Sequence, residues 1–288
     1  MQSNNPVFRR SEEFNRAGAS SQTYTGYGNP ATWSNGQPGQ QSAPQGYEGY
    51  GQTPQAPTST GPMTIDTVVQ KTAISLGVVI ITALATWILT PDISLSNTDL
   101  APLFAALTVG SLGAFALSMV NSFKREISPA LVLLFCAFEG VALGALSKVF
   151  DAQFADPIVV QAVMGTFAAF AGTLAAYKYF NIKVSAKFQM FVIAAMFGMV
   201  GLGLMEMVLS LFNANVGLFG FGTLGLLMSV AGLVLGIFML ILDFDFVEKG
   251  VANGIPEKES WRAAFAMTVS LVWIYTNLLR ILAILQQD

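Results

Sequence analysis

The sequence predicts an all-α integral membrane protein, a seven-transmembrane helix bundle with a disordered N-terminal tail. Composition is the first reason: 53% of the 288 residues are hydrophobic and only 11% are charged, under half of the ~25% usual for soluble domains. The second is the set of seven apolar stretches between Thr72 and Leu285, each suited to a hydrocarbon core that needs ~20 residues of helix. The third is that these runs are continuously apolar. They lack the alternation of lipid-facing and lumen-facing residues that a barrel strand requires, so helices are expected.

Taken in order, residues 1–62 are set apart as a tail. They hold seven of the twelve prolines, and Gly, Gln, Ser and Tyr fill much of the rest. Such a segment buries too little apolar area to offset its chain entropy. No apolar segment opens the chain, so no cleavable signal is expected. Within the tail, Pro6 to Phe14 carries two Phe and mixed charges suited to docking. Residues 63–288 form the membrane domain. The spans are expected at Thr72–Leu89, Leu100–Phe123, Ile127–Val149, Pro157–Tyr177, Phe188–Phe212, Gly217–Asp243 and Ala263–Leu285. Pro91-Asp92, Asn121-Ser122, Asp156-Pro157, Asn213 with Asn215, and Asn253-Gly254 supply the breaks. The Gly-rich start of the sixth stretch, Gly217 to Gly225, reads either as a loop or as a distorted first turn.

Basic residues orient the bundle. With the N-terminus in the cytoplasm and seven spans, twelve of the fourteen Lys and Arg lie inside. Lys148 lies outside and Arg280 lies within a span. Dropping the three tail arginines leaves the asymmetry at 9 to 1. The C-terminus is then outside.

Absent residue types exclude chemistry. There is no histidine, which removes Ser-His-Asp hydrolysis, His-ligated zinc and His-based pH switching. The lone Cys136 cannot form an intramolecular disulfide. No soft ligand set for zinc or copper is present. A membrane aspartyl protease would need a Gly-x-Gly-Asp segment, which is missing, and Asp243 and Asp245 have unsuitable spacing. No enzymatic activity, cofactor or nucleic-acid partner is expected.

Charges well inside the spans are therefore the candidates for function, because a charge in a bilayer is seldom kept without a use or a partner. Glu139 lies near the middle of the third span. Cys136, Gly140, Gly144 and Ser147 recur beside it at helical spacing, so this face is expected in the bundle interior. Without a counter-charge Glu139 is expected to be protonated at rest. It serves either conduction or a hydrogen bond between helices. Glu206 and Arg280, both in the outer third, are expected to pair. Arg280 either snorkels or joins Ser270, Trp273, Thr276 and Asn277 on a polar stripe facing a cavity. Asp243 and Asp245 are placed at the cytoplasmic end of the sixth span, ~200° apart on a regular helix. Asp245 is expected to form an exposed pair with Lys249, leaving Asp243 as the inward group. These carboxylates are hard oxygen ligands suited to Ca²⁺ in transit and equally to protons. Gly140 with Gly144 and Gly232 with Gly236 are close-packing motifs.

The chain resembles the Bax inhibitor-1/YccA family, also called the transmembrane Bax inhibitor motif family, in its actinobacterial-type branch. The resemblance rests on Asn5-Pro6-Val7-Phe8, Thr64-Ile65-Asp66-Thr67-Val68, Glu139 to Gly144, and the block from Asp243 to Gly254 followed by Trp261 and the seventh span through Arg280. It implies a fold with the last helix central and six around it, and a pH-sensitive Ca²⁺ leak gated by two aspartates on the last two helices. The sixth-span aspartate maps onto Asp243. The seventh-span partner falls at Ile274 or Ser270, depending on register, and neither is a carboxylate. Arg280 and Asn277 are the alternative hydrogen-bond partners.

A passive cation leak, with Ca²⁺ the favoured ion and carboxylate protonation as the gate, is the leading expectation. The alternative is an interaction protein that modulates a membrane quality-control protease or a stress response, using the tail to capture a membrane-protein partner. Deleting residues 1–62 separates the two, since a leak survives it. A proton-coupled transporter would use the same acids, but no clear inverted repeat favours one.

Overall fold

The computed structural model describes residues 61–91, 100–154, 157–212, 214 and 216–287. The expected tail, the Asn5–Phe8 segment and the breaks at Asp92, Asp156, Asn213 and Asn215 lie outside the described residues. The chain divides into Met1–Ala56 and Pro57–Asp288, and everything below concerns the second unit.

Seven helices long and apolar enough to cross a membrane follow one another: α1 Ile65–Leu89, α2 Ala101–Phe123, α3 Pro129–Gln153, α4 Ile158–Tyr179, α5 Ala186–Leu211, α6 Thr223–Ala252 and α7 Ser260–Leu285. A short 3-10 turn, Glu257–Glu259, precedes α7. The chain is thus an all-α, seven-helix membrane-spanning bundle.

Helix ends follow local chemistry rather than the limits of the apolar runs. α1 begins at Ile65, not at Thr72, because Thr64 and Thr67 close a reciprocal capping box ahead of the apolar stretch. α6 begins late, at Thr223. The Gly-rich segment before it is a loop, with Gly217 in the left-handed region at φ 79°. α6 also runs on well past Asp243, ending where Gly254, at φ 61°, lets the Ile255 N–H reach back to the Gly250 carbonyl. Asn181 ends α4 in the same way, with the Ile182 N–H on the Tyr177 carbonyl.

α7 is the hub. It packs against α6, α1, α4 and α3, whereas α2 is applied to α3 and α5 to α6. Half of the most apolar window is buried in α3 and in α7, against 6% in α5, so α5 is left to face lipid. Close packing depends on missing Cβ atoms. One added to Gly144 would sit 2.9 Å from Ala83 Cα of α1, and one on Gly110 of α2 would sit 2.7 Å from Ala142 N of α3. Both spacings are what glycine permits in membrane helices.

One end of the bundle is tied together by polar contacts. Pro62 forms an isolated antiparallel bridge with Pro256, and the Met63 N–H donates to the Ile255 carbonyl at 2.7 Å. Lys71 reaches Glu257 at 2.7 Å, and Lys258 reaches Glu126 at 3.1 Å. Arg262 donates to the Arg125 carbonyl at 2.8 Å. The segment before α1, the α2–α3 connection and the α6–α7 connection therefore meet on one face.

Candidate functional site

The seam between α6 and α7 is opened by two glycines. A Cβ on Gly236 would lie 2.6 Å from Ile274 Cγ1, and one on Gly232 would lie 2.8 Å from Asn277 Cγ. The backbones approach closely enough for Trp273 Nε1 to donate to the Gly232 carbonyl at 2.8 Å. Asn277 Nδ2 satisfies itself on the Trp273 carbonyl at 2.7 Å. Further along the same seam, Ser270 Oγ donates to Asp243 Oδ2 at 2.6 Å. That length matches a hydroxyl donating to a carboxylate, ~2.5–2.7 Å. Of the two positions left open by register, Ser270 is the one opposite Asp243, while Ile274 is buried against Gly236.

Asp243 does not sit at the end of its helix. α6 continues to Ala252, about 13 Å farther at ~1.5 Å per residue, and Ser270 lies well inside α7. The helix, not the apolar run, extends beyond Asp243, through Asp245, Glu248 and Lys249. Three polar side chains make the extra turns tolerable. Asp245 pairs with Lys249 at 2.6 Å, as its spacing predicts, and Glu248 accepts from the Tyr177 hydroxyl at 2.5 Å.

Glu139 occupies a different compartment. It is partly buried and lines a cavity of about 340 Å³ between α2, α3 and α7, together with Ser111, Phe115, Phe135, Trp273 and Thr276. No described residue donates a hydrogen bond to its carboxyl group. Its helical neighbours face elsewhere: Gly140 packs on Thr82 and Val79 of α1, and Gly144 on Ala83. Helix α7 thus shows Ser270 and Asn277 to α6, and Thr276 and Val272 to the cavity of Glu139. The polar stripe predicted for one face is shared between two.

Glu206 and Arg280 do not form the expected pair. Glu206 Oε1 accepts from the Gly217 N–H at 2.8 Å, and its Oε2 is buried without a partner among the described residues. Arg280 reaches the Gly220 carbonyl at 3.4 Å and lies over the Phe219 ring at 5.3 Å. Each charge is spent on the loop ahead of α6, whose exposed backbone groups compete with a direct ion pair. Arg280 therefore turns toward this loop, and Asn277 takes its own helix as partner instead of Asp243.

The sequence reading uses Lys148 for orientation alone. It is buried, at 5% exposure, and donates to the Trp87 and Thr90 carbonyls at 2.8 and 2.6 Å. Those are orphan acceptors at the end of α1. The one basic residue assigned outside thus caps a neighbouring helix. Beside it, Ser147 and Tyr275 share a hydrogen bond of 2.6 Å between α3 and α7. A lysine inside an apolar run was the available signal. The tyrosine carried none.

Chemically, the α6–α7 seam holds the carboxylate of Asp243 under a hydroxyl donor, and the cavity between α2, α3 and α7 holds that of Glu139. Among the described residues no group of three or more His, Cys, Asp or Glu comes together to hold a metal ion. A family model described as Bax inhibitor 1 like matches residues 5–287. No curated protein matches the chain.

Proposed function

The chain belongs to the Bax inhibitor-1 family, and on that premise we propose that it is a passive cation leak, with Ca²⁺ the favoured ion, gated by carboxylate protonation at Asp243. The observation that carries this reading is the Ser270–Asp243 hydrogen bond of 2.6 Å inside the membrane segment. It occupies the place where the resemblance puts a second aspartate. In the arrangement described, the hydroxyl engages the carboxylate and α6 lies closed on α7. Parting the seam frees an anionic oxygen for a cation in transit. Glu139 lies on the opposite side of α7 in a separate cavity, and its contribution to flux is tested beside that of Asp243.

The sign of the pH dependence follows from the role. A cation is stabilised by the ionised carboxylate and not by the neutral acid, so flux falls as pH falls. Because the donor opposite Asp243 is a serine, the dependence is that of one aspartate rather than of a coupled pair. The protein is placed in a bacterial plasma membrane with its N-terminus in the cytoplasm. The orientation is supported by Lys71, Lys124, Arg125, Lys249, Lys258 and Arg262 gathering at the end where residues 61–63 meet the α6–α7 connection.

The test is Ca²⁺ entry into dye-loaded liposomes carrying the purified full chain, measured across pH. Wild type should leak more at higher pH, and Asp243→Asn should leak little and show no pH dependence. Absence of flux at every pH, or flux unaltered by both Asp243→Asn and Glu139→Gln, removes the proposal. Flux should survive deletion of residues 1–62, whereas tail-mediated capture of a membrane partner would be lost with them.

A further inference from the structure

We propose that the cavity containing Glu139 is a binding site for a lipophilic organic ammonium ion that enters sideways from the bilayer. The cavity, about 340 Å³, falls in the range of small-molecule sites, ~300–1,000 Å³. Its walls are apolar and aromatic apart from one carboxylate and a few hydroxyls. Two of its rings are fixed in advance. Trp273 is anchored by its hydrogen bond to the Gly232 carbonyl, and Phe135 is held edge-on by Phe265 at 5.0 Å between centroids.

That combination selects the ligand's chemistry. A bare divalent ion calls for roughly six to eight oxygens. Here the lining side chains offer one carboxylate and the hydroxyl oxygens of Ser111, Ser118 and Thr276, short of that number. An alkylammonium needs one anionic acceptor, aromatic faces for its charge and apolar walls for its carbon frame. The Glu139 carboxyl has no donor among the described residues and so remains available for N–H groups. Entry from the bilayer follows from exposure: Ser111 is exposed and Phe115 is 56% exposed on α2, at the edge of the cavity.

The proposal does not depend on conduction, and its test uses no ion gradient. Full-length protein in phosphatidylcholine nanodiscs is titrated calorimetrically at pH 7 with adamantan-1-amine, and separately with the neutral adamantan-1-ol. Heats from empty nanodiscs are subtracted. The ammonium should bind saturably and at least tenfold more tightly than the alcohol. Glu139→Gln should weaken it at least tenfold while eluting and melting like wild type. Ser111→Trp, at the exposed mouth, keeps the carboxylate and the core, and should also weaken it at least tenfold. No saturable binding to wild type, equal binding of amine and alcohol, or wild-type affinity in both variants overturns the proposal.

Discussion

Replacing Ser270 by alanine removes one oxygen and changes little else, since the site is 1% exposed and the Cβ is retained. What is lost is the donor to Asp243 at 2.6 Å. A hydrogen bond to a charged group is worth about 1.5–3 kcal/mol. If that bond holds α6 on α7, its loss of about 2 kcal/mol shifts the closed-to-open ratio ~30-fold at 1.36 kcal/mol per decade. Basal Ca²⁺ entry into liposomes at pH 7 should therefore rise by at least an order of magnitude in Ser270→Ala. Ser270→Thr keeps a hydroxyl and should stay near wild type. Ser270→Asp should replace the one-step pH profile by two steps, because two close acids titrate as a coupled pair. An alanine variant with wild-type leak, or a threonine variant that leaks as much as alanine, refutes the argument.

Other perturbations test the frame around the seam. Gly144→Val should abolish a monodisperse folded bundle, since even a Cβ would meet Ala83 Cα at 2.9 Å, whereas Gly172→Ala, with open space around it, should melt like wild type. Lys148→Met leaves the Thr90 carbonyl without this donor and the Trp87 carbonyl with the Thr90 hydroxyl at 3.4 Å, at about 1–3 kcal/mol for an unsatisfied group. Its melting temperature should fall clearly, and an unchanged value would show that the cap is dispensable. A double-mutant cycle on melting stability for Glu206→Gln and Arg280→Gln should give a coupling below about 0.5 kcal/mol, since each binds the loop rather than the other. A large coupling would restore the direct pair.

The spans were legible because apolar length alone decides them. The ends were less so. Thr64 and Thr67 extend α1 through side-chain to backbone bonds, and α6 runs on to Ala252 because the charged residues after Asp243 stay helical. In the helix they find local partners, Asp245 in Lys249 and Glu248 in Tyr177. Glu139 was found by its cost in a bilayer, but not the cavity it lines, which depends on how far α2 stands from α7. The pairing of Glu206 with Arg280 failed because equal depth on two helices says nothing about a glycine loop between them. Ser270 as the partner of Asp243 required the register of α6 on α7, which two glycines set by close contact.

The helix that touches most of its neighbours is also the last of the seven to leave the ribosome. Until α7 arrives, the seats it fills on α6, α1, α4 and α3 stand open, and Thr67 waits for Ser260, its 2.9 Å partner far along the chain. The first six helices thus precede the helix on which four of them pack. A chain stopped before α7 is not a shorter version of the bundle. It is a set of membrane helices with glycine-lined gaps and no common neighbour, the kind of intermediate that cells retain with helper proteins or remove.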